Sequence, residues 1–118
     1  MLRPRGSTDV RRPISPAVLH ILLALADGRR HGYAIKQEAE ARSDGTVRLG
    51  PGTLYETIHR LLEARLIREA ASSRTPENGQ EAQRRYYELT VQGRRVLQQE
   101  VARLTRLLDY ARSKPELA

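Results

Sequence analysis

Residues 50–64 read Gly-Pro-Gly-Thr-Leu-Tyr-Glu-Thr-Ile-His-Arg-Leu-Leu-Glu-Ala, and the way this stretch sorts apolar from polar residues decides the fold. Gly50-Pro51 opens a helix, because the proline ring holds φ at a helical value and lacks the N–H that a first turn leaves unpaired. Leu54, Ile58, Leu61 and Leu62 recur at i, i+4, i+7 and i+8, a single apolar stripe on a helix running to about Ala64. The opposite face carries Gly52, Glu56, His59, Arg60 and Glu63, with Thr53 and Tyr55 on its flanks. A helix of this kind docks by its inner stripe and offers a polar face outward.

Upstream of it, Ser15-Pro16 reads as N-cap plus first-turn proline and opens a helix through about Ala26, stopped by Asp27-Gly28. Its nearly all-round apolar character predicts that other elements wrap it. The run Ala17–Ala26 is ten residues long and interrupted by His20, well short of the roughly 20 that a membrane helix needs. A second helix is expected from about Tyr33 to Arg42, with Tyr33, Ile35 and Ala39 toward the core and Lys36, Glu38 and Glu40 toward water. Ser43-Asp44-Gly45 ends it, and Thr46-Val47-Arg48-Leu49 is strand-like. Downstream, Leu66–Ala71 and Arg84–Leu89 read as two strands around a polar loop containing Asn78-Gly79, a β-hairpin with a long tip. Alternation places Tyr86 and Tyr87 on opposite sheet faces, and whichever points inward packs the sheet. Thr90 caps a last helix from about Val91 to Arg112, before Lys114-Pro115. There Leu97, Val101, Leu104, Leu108 and Ala111 are spaced by 4, 3, 4 and 3 residues, an a/d seam that calls for a partner helix and hence a homodimer. Leu107 widens the stripe enough for part of it to pack on the first helix of the same chain.

With 118 residues there is room for one compact domain. Lys and Arg total 21 against 14 Asp and Glu, a formal charge of +7, and 19 of those cations are Arg, whose planar guanidinium suits phosphates and base edges. Nucleic acid is therefore the leading partner. Zero Cys excludes a disulfide framework, a thiol nucleophile and cysteine-based metal ligation. His20, His31 and His59 show no i, i+4 pairing, and no Gly-rich phosphate loop occurs, so neither an enzyme nor a cofactor is expected. No apolar stretch near Met1 could act as a signal segment, which makes a cytoplasmic protein the expectation.

Three short helices, a hairpin and a long helix describe a mainly α (α+β) fold, a winged helix-turn-helix with a two-stranded wing and a C-terminal dimerisation helix. The expected division is a flexible basic arm over 1–14, a DNA-binding domain over 15–90, the dimerisation helix over 91–112 and a tail over 113–118. In such a motif the third helix enters the major groove of double-stranded DNA while the hairpin reaches the flanking backbone. Arg60 can bond guanine O6/N7, Glu56 can accept from a cytosine amino group, and His59 and Thr53 can serve base or phosphate. The same pattern also fits a plain solvated helix face, and periodicity alone does not separate the two. Residues 1–14 carry Arg3, Arg5, Arg11 and Arg12 against Asp9; such an arm can enter a minor groove, extend the dimer framework or stay disordered.

Three motifs in order, His31-Gly32-Tyr33-Ala34-Ile35, then Pro51-Gly52-Thr53-Leu54-Tyr55 with Arg60-Leu61, then Arg84-Arg85-Tyr86-Tyr87-Glu88-Leu89-Thr90 with Gly93, resemble the PadR family of bacterial transcriptional regulators. The resemblance covers roughly residues 14–112 and looks like the short subgroup with a single C-terminal helix. It implies a winged-helix repressor that binds operator DNA as a homodimer and is often relieved by a small-molecule effector. Carried over by position, Gly52, Thr53 and Tyr55 would sit at the DNA backbone where the recognition helix begins. A wing from Ile67 to Leu89 would bring Arg74, Arg84 and Arg85 to phosphates or the minor groove. Gly32 and Tyr33 read as helix packing. The chain departs from the family pattern at Arg65, where relatives commonly have Gly, at Gly50, where a Ser often stands, and in lacking Phe and Trp, which argues against an aromatic-walled effector pocket. A left-handed Arg65 would cost on the order of 1 kcal/mol, so the turn there is expected to differ. The competing readings are a winged helix that binds another protein, and a regulator of MarR-like or ArsR-like type.

Overall fold

The computed structural model describes residues 14–71 and 85–117. Residues 1–13 of the expected arm, the loop with Asn78-Gly79, and Arg74 and Arg84 lie outside the described residues. The chain runs α1 (Pro16–Ala24), β1 (Arg30–His31), α2 (Gly32–Arg42), α3 (Pro51–Glu63), β2 (Ile67–Ala70), β3 (Tyr86–Leu89) and α4 (Val91–Arg112). The strands form one antiparallel sheet in the order β1-β3-β2.

Helix α1 starts as its sequence dictates, with the Ser15 hydroxyl accepting from the Val18 N–H at 3.2 Å and Pro16 in the first turn. It ends two residues early, at Ala24, because Leu25 and Ala26 turn back through N–H bonds to Leu22 and Leu23 carbonyls. Ile21, Leu22, Ala24 and Leu25 are buried, whereas Leu23 is exposed, so the helix is not wrapped on every side as its composition suggested. In α2 the side chain of His31 caps the helix by accepting from the Ala34 N–H at 3.2 Å. That cap puts Gly32, Ile35 and Ala39 on one buried face. Tyr33, expected in the core, is rotated one step off this face and is 59% exposed, with Lys36 Nζ 6.0 Å from its ring.

The strand expected over Thr46–Leu49 does not form. Side chains at the end of α2 satisfy the backbone of this segment instead: the Ser43 hydroxyl accepts from the Val47 N–H at 2.9 Å and the Glu40 carboxylate from the Leu49 N–H at 3.2 Å. With its donors met locally the segment needs no ladder, and Leu49 plugs the core. The third strand comes from Arg30–His31, which pairs with Tyr87 and Tyr86 on the free side of β3.

Helices α2 and α3 both end in the same hydrogen-bonded turn. Gly45 N–H bonds the Glu40 carbonyl and Asp44 N–H the Ala41 carbonyl; Leu66 N–H bonds the Leu61 carbonyl and Arg65 N–H the Leu62 carbonyl. This pair of hydrogen bonds needs a left-handed residue just past the helix. Asp44 at φ 53° and Arg65 at φ 62° supply it without glycine, so the turn at Arg65 is kept rather than altered. The Arg65 carbonyl accepts from the Thr90 hydroxyl at 2.7 Å, and the Thr90 hydroxyl in turn accepts from the Gly93 N–H at 2.9 Å, capping α4. A Cβ on Gly93 would stand 1.9 Å from the Leu66 carbonyl oxygen. The end of α3, the start of β2 and the start of α4 are thus one close junction. The core joins Ile21, Leu22 and Leu25 to Ile35, Leu49, Leu54, Ile58, Ile67, Tyr87, Val96 and Leu97.

Candidate nucleic-acid interface

Helix α3 buries Leu54, Thr57, Ile58 and Leu61. Thr57 is tolerated there because its hydroxyl donates to the Thr53 carbonyl at 2.7 Å. With that face locked, Gly52, Thr53, Tyr55, Glu56, His59, Arg60 and Glu63 all lie exposed, as the spacing predicted. Glu56, Arg60 and Glu63 continue the line begun at Gly52, a straight polar ridge along the helix. Tyr55 does more than flank it. A Cβ on Gly32 would stand 2.7 Å from the Tyr55 hydroxyl oxygen and 3.0 Å from two ring atoms. Glycine there lets the half-exposed ring lie against the first turn of α2, which fixes α2 and α3 relative to each other.

The ridge pairs its basic side chains with its own carboxylates. A guanidinium nitrogen of Arg60 lies 3.6 Å from the Glu56 carboxylate, and His59 Nε2 lies 3.4 Å from Glu63, each pair one helical turn apart. The wing repeats the pattern across strands. The register pairs Ile67 with Leu89 and Arg68 with Glu88, so Arg68 Nε donates to Glu88 at 2.7 Å. Arg29, from the loop before β1, also reaches Glu88, at 3.7 Å, and donates to the Ala71 carbonyl where the wing tip begins. Arg85 pairs with Glu69 at 3.4 Å. The Arg68 guanidinium beside Glu88 holds its carboxyl below the usual carboxylate range. Tyr87 is the inward tyrosine, its hydroxyl shifted up by burial, while Tyr86 meets the His31 ring edge-on with centroids 5.5 Å apart.

Of the wing residues expected at DNA, Arg85 is exposed at the base of the tip. Arg29 and Arg68 were not singled out from sequence. Arg68 would have been found from the hairpin register, which the long loop leaves undetermined; Arg29 depends on a two-residue strand with no periodicity to detect.

Helix α4 is placed differently from the simple seam. Leu97 is only 6% exposed and belongs, with Val96, to the core of its own protomer. The reason is position: the first two turns of α4 lie over the β2 junction and α1. Beyond them Val101 is 44% exposed, Leu108 49% and Tyr110 62%, Leu107 is exposed as well, and Leu104 and Ala111 are half-buried. At the boundary sits Glu100, buried and held by two bonds from Arg103 at 3.0 and 2.7 Å, which lower its carboxyl below the ordinary range.

Among the described residues no group of three or more His, Cys, Asp or Glu could hold a metal, and no helix is long and apolar enough to cross a membrane. What the geometry offers is a rigid helix-turn-helix with a polar ridge, flanked by an arginine-bearing hairpin. It is the architecture of the winged helix-turn-helix proteins. Residues 21–99 match the transcriptional regulator PadR-like family, and the chain belongs to that family. The fold is similar to a PadR family transcription regulator from hypervirulent Clostridium difficile (TM-score 0.66, 23% identity, covering 84% of this chain and 97% of that one). It is similar also to a transcriptional regulator from Clostridium thermocellum (TM-score 0.62, 22% identity, 84% and 89% covered). In sequence the chain is 40% identical over 91 residues to an uncharacterized 37.1 kDa protein in transposon TN4556 of Streptomyces fradiae, matching 77% of this chain and 24% of that protein. The chain spans about a quarter of that relative's length.

Proposed function

We propose that the protein is a homodimeric repressor that reads a pseudo-palindromic operator. Each α3 enters a major groove with Arg60, Glu56 and His59 toward base edges, while Gly52, Thr53 and Tyr55 meet the backbone at its N-terminus. Arg85 and, from outside the described residues, Arg74 and Arg84 engage flanking phosphates. The free apolar face of α4, with Val101, Leu104, Leu108 and Ala111, pairs the protomers. The observation that carries this reading is the outward ridge of α3, held by a fully engaged inner stripe and by the Tyr55–Gly32 contact. Two-fold pairing sets the half-sites about 10 bp apart or a multiple of that.

Selection of bound fragments from genomic DNA, followed by footprinting, tests this directly and should return an inverted repeat with that spacing. Against the recovered duplex, Arg60→Ala should lower affinity by about 1–3 kcal/mol and relax the base preference at one position of each half-site. Recovery of no preferred sequence, or unchanged affinity in Arg60→Ala by fluorescence anisotropy, would overturn the docking mode.

A further inference from the structure

Between residues 51 and 90 the sequence holds six Arg and six Glu, so the proposed reading surface is neutral although the chain carries +7. The structure shows how that balance is arranged. Among the described residues of α3 and the wing, every basic side chain except Arg65 has a carboxylate within 4 Å: His59 on Glu63, Arg60 on Glu56, Arg68 on Glu88 and Arg85 on Glu69, with Arg29 sharing Glu88. On α4, Arg94 and Arg95 are exposed with no carboxylate partner among the described residues. Ion pairs also form on α2 (Lys36–Glu40, Arg42–Glu38) and α4 (Arg103–Glu100), but on α3 and the wing they take up every described basic side chain except Arg65. A carboxylate held against a guanidinium occupies the site that a phosphate oxygen would take, since both groups offer anionic oxygens to the same planar fork of N–H donors.

We propose that Glu69 and Glu88 are specificity-determining residues that act as internal phosphate surrogates: they retain Arg85, Arg68 and Arg29 on the protein and suppress sequence-independent binding. The inference rests on the docking mode proposed above. On random DNA, exchanging a carboxylate for a phosphate in arbitrary position is close to balanced, and the wing stays folded onto itself. Once α3 is seated on its bases, a phosphate is held in line with each guanidinium and the exchange becomes favourable. Sequence-independent affinity comes almost wholly from counterion release, which grows with each phosphate neutralised. The protein thereby keeps arginines available for its own site without offering them to every duplex.

The test uses the full chain with Glu69→Gln, Glu88→Gln and, as an equal change of charge away from the surface, Glu116→Gln. Affinity is measured by fluorescence anisotropy for a scrambled duplex and for the duplex selected by the wild type, across about 0.05 to 0.3 M salt. Glu69→Gln or Glu88→Gln should tighten the scrambled duplex roughly fivefold to tenfold at the lower salt and steepen its salt slope by about one phosphate. The selected duplex should gain less, so that the ratio of the two affinities falls, while Glu116→Gln leaves that ratio where it was. Gains no larger than those of Glu116→Gln, or equal gains on both duplexes, would overturn the proposal. Failure of the wild type to select any sequence would instead overturn the docking mode on which it rests. If Glu88→Gln does not fold, since Arg68 loses its cross-strand partner, Glu69→Gln decides the question alone, because that side chain is 53% exposed and, among the described residues, pairs with Arg85 at the wing edge.

Discussion

Arg65 is the residue where local physics and the fold pull in opposite directions. Its φ of 62° is a left-handed conformation that costs an L-residue with a long side chain on the order of 1 kcal/mol. The cost is accepted because the turn ties three elements: it closes α3, aligns Leu66 for Gly93, and presents a carbonyl to Thr90. Replacing Arg65 with Gly should therefore stabilise the protein by at most about 0.5 kcal/mol, the relief of strain being largely offset by the freer unfolded chain. Urea unfolding checks it, and a lower midpoint in Arg65→Gly would show that the arginine makes compensating interactions. Glu40 is the counterpart in the turn between α2 and α3. Its carboxyl lies below the ordinary value of 4.5, first through the Leu49 N–H bond and then through Lys36. A folded-state value lower than the unfolded one means that its contribution is complete above pH 4.5 and is lost as pH falls through the depressed value. The unfolding midpoint of the native chain should accordingly drop more steeply on acidification below that pH than that of Glu40→Gln. Parallel pH profiles of the two proteins would remove Glu40 from the account of the turn.

At the scale of elements, the approach of α4 to the α3–β2 turn is the tightest constraint. The 1.9 Å separation between a Cβ on Gly93 and the Leu66 oxygen involves backbone on both sides, so neither partner can yield by changing rotamer. Gly93→Ala should cost about 3 kcal/mol or more, at the severe end of overpacking, and a folded variant within 1 kcal/mol of the native midpoint, as judged by urea titration, would show that α4 can slide. The glycine at 32 faces a softer neighbour, the Tyr55 ring. It is needed for the side chain of a different motif to lie flat, which links His31–Ile35 and Pro51–Tyr55 in space as they are linked in the sequence pattern. The helix ends and caps were largely legible: Ser15, Pro16, Pro51 and Thr90 mark helix starts within a residue, and α4 spans the range its pattern predicts. The strands were less so. Thr46–Leu49 has strand-forming residues but finds its hydrogen bonds on Ser43 and Glu40, whereas Arg30–His31 has none and is recruited by β3.

For the whole molecule, the question is what α4 does beyond its own domain. After Glu100 the helix continues for about three turns with Val101, Leu107, Leu108 and Tyr110 exposed. A helical segment of that length is marginal in water by itself, and an apolar face of this kind is stabilised by a helix packed against it. The proposed homodimer meets both demands. Leu108→Glu places charge at an exposed seam position without disturbing the protomer core, and sedimentation should show it as a monomer with normal helix content; a dimer that survives would place the interface elsewhere. In the dimer the formal charge doubles to twice +7, carried mainly by residues 1–14 and 91–118, where it steers encounter with DNA more than it selects a sequence.

The sequence by itself determined the class of fold and the polarity of α3, because the apolar stripe Leu54, Ile58, Leu61 can be buried in only one orientation and the caps on either side mark where the helices begin. It also determined the family, through motifs whose spacing survives without knowledge of any contact. Only the tertiary structure decided that Leu97 serves the protomer and Leu108 does not, that Tyr33 faces out, and that Arg68, Arg85 and Arg29 rest on carboxylates. Each of those depends on which elements meet and in what register, and register across a long loop is set by packing between segments far apart in the chain, where local periodicity carries no information.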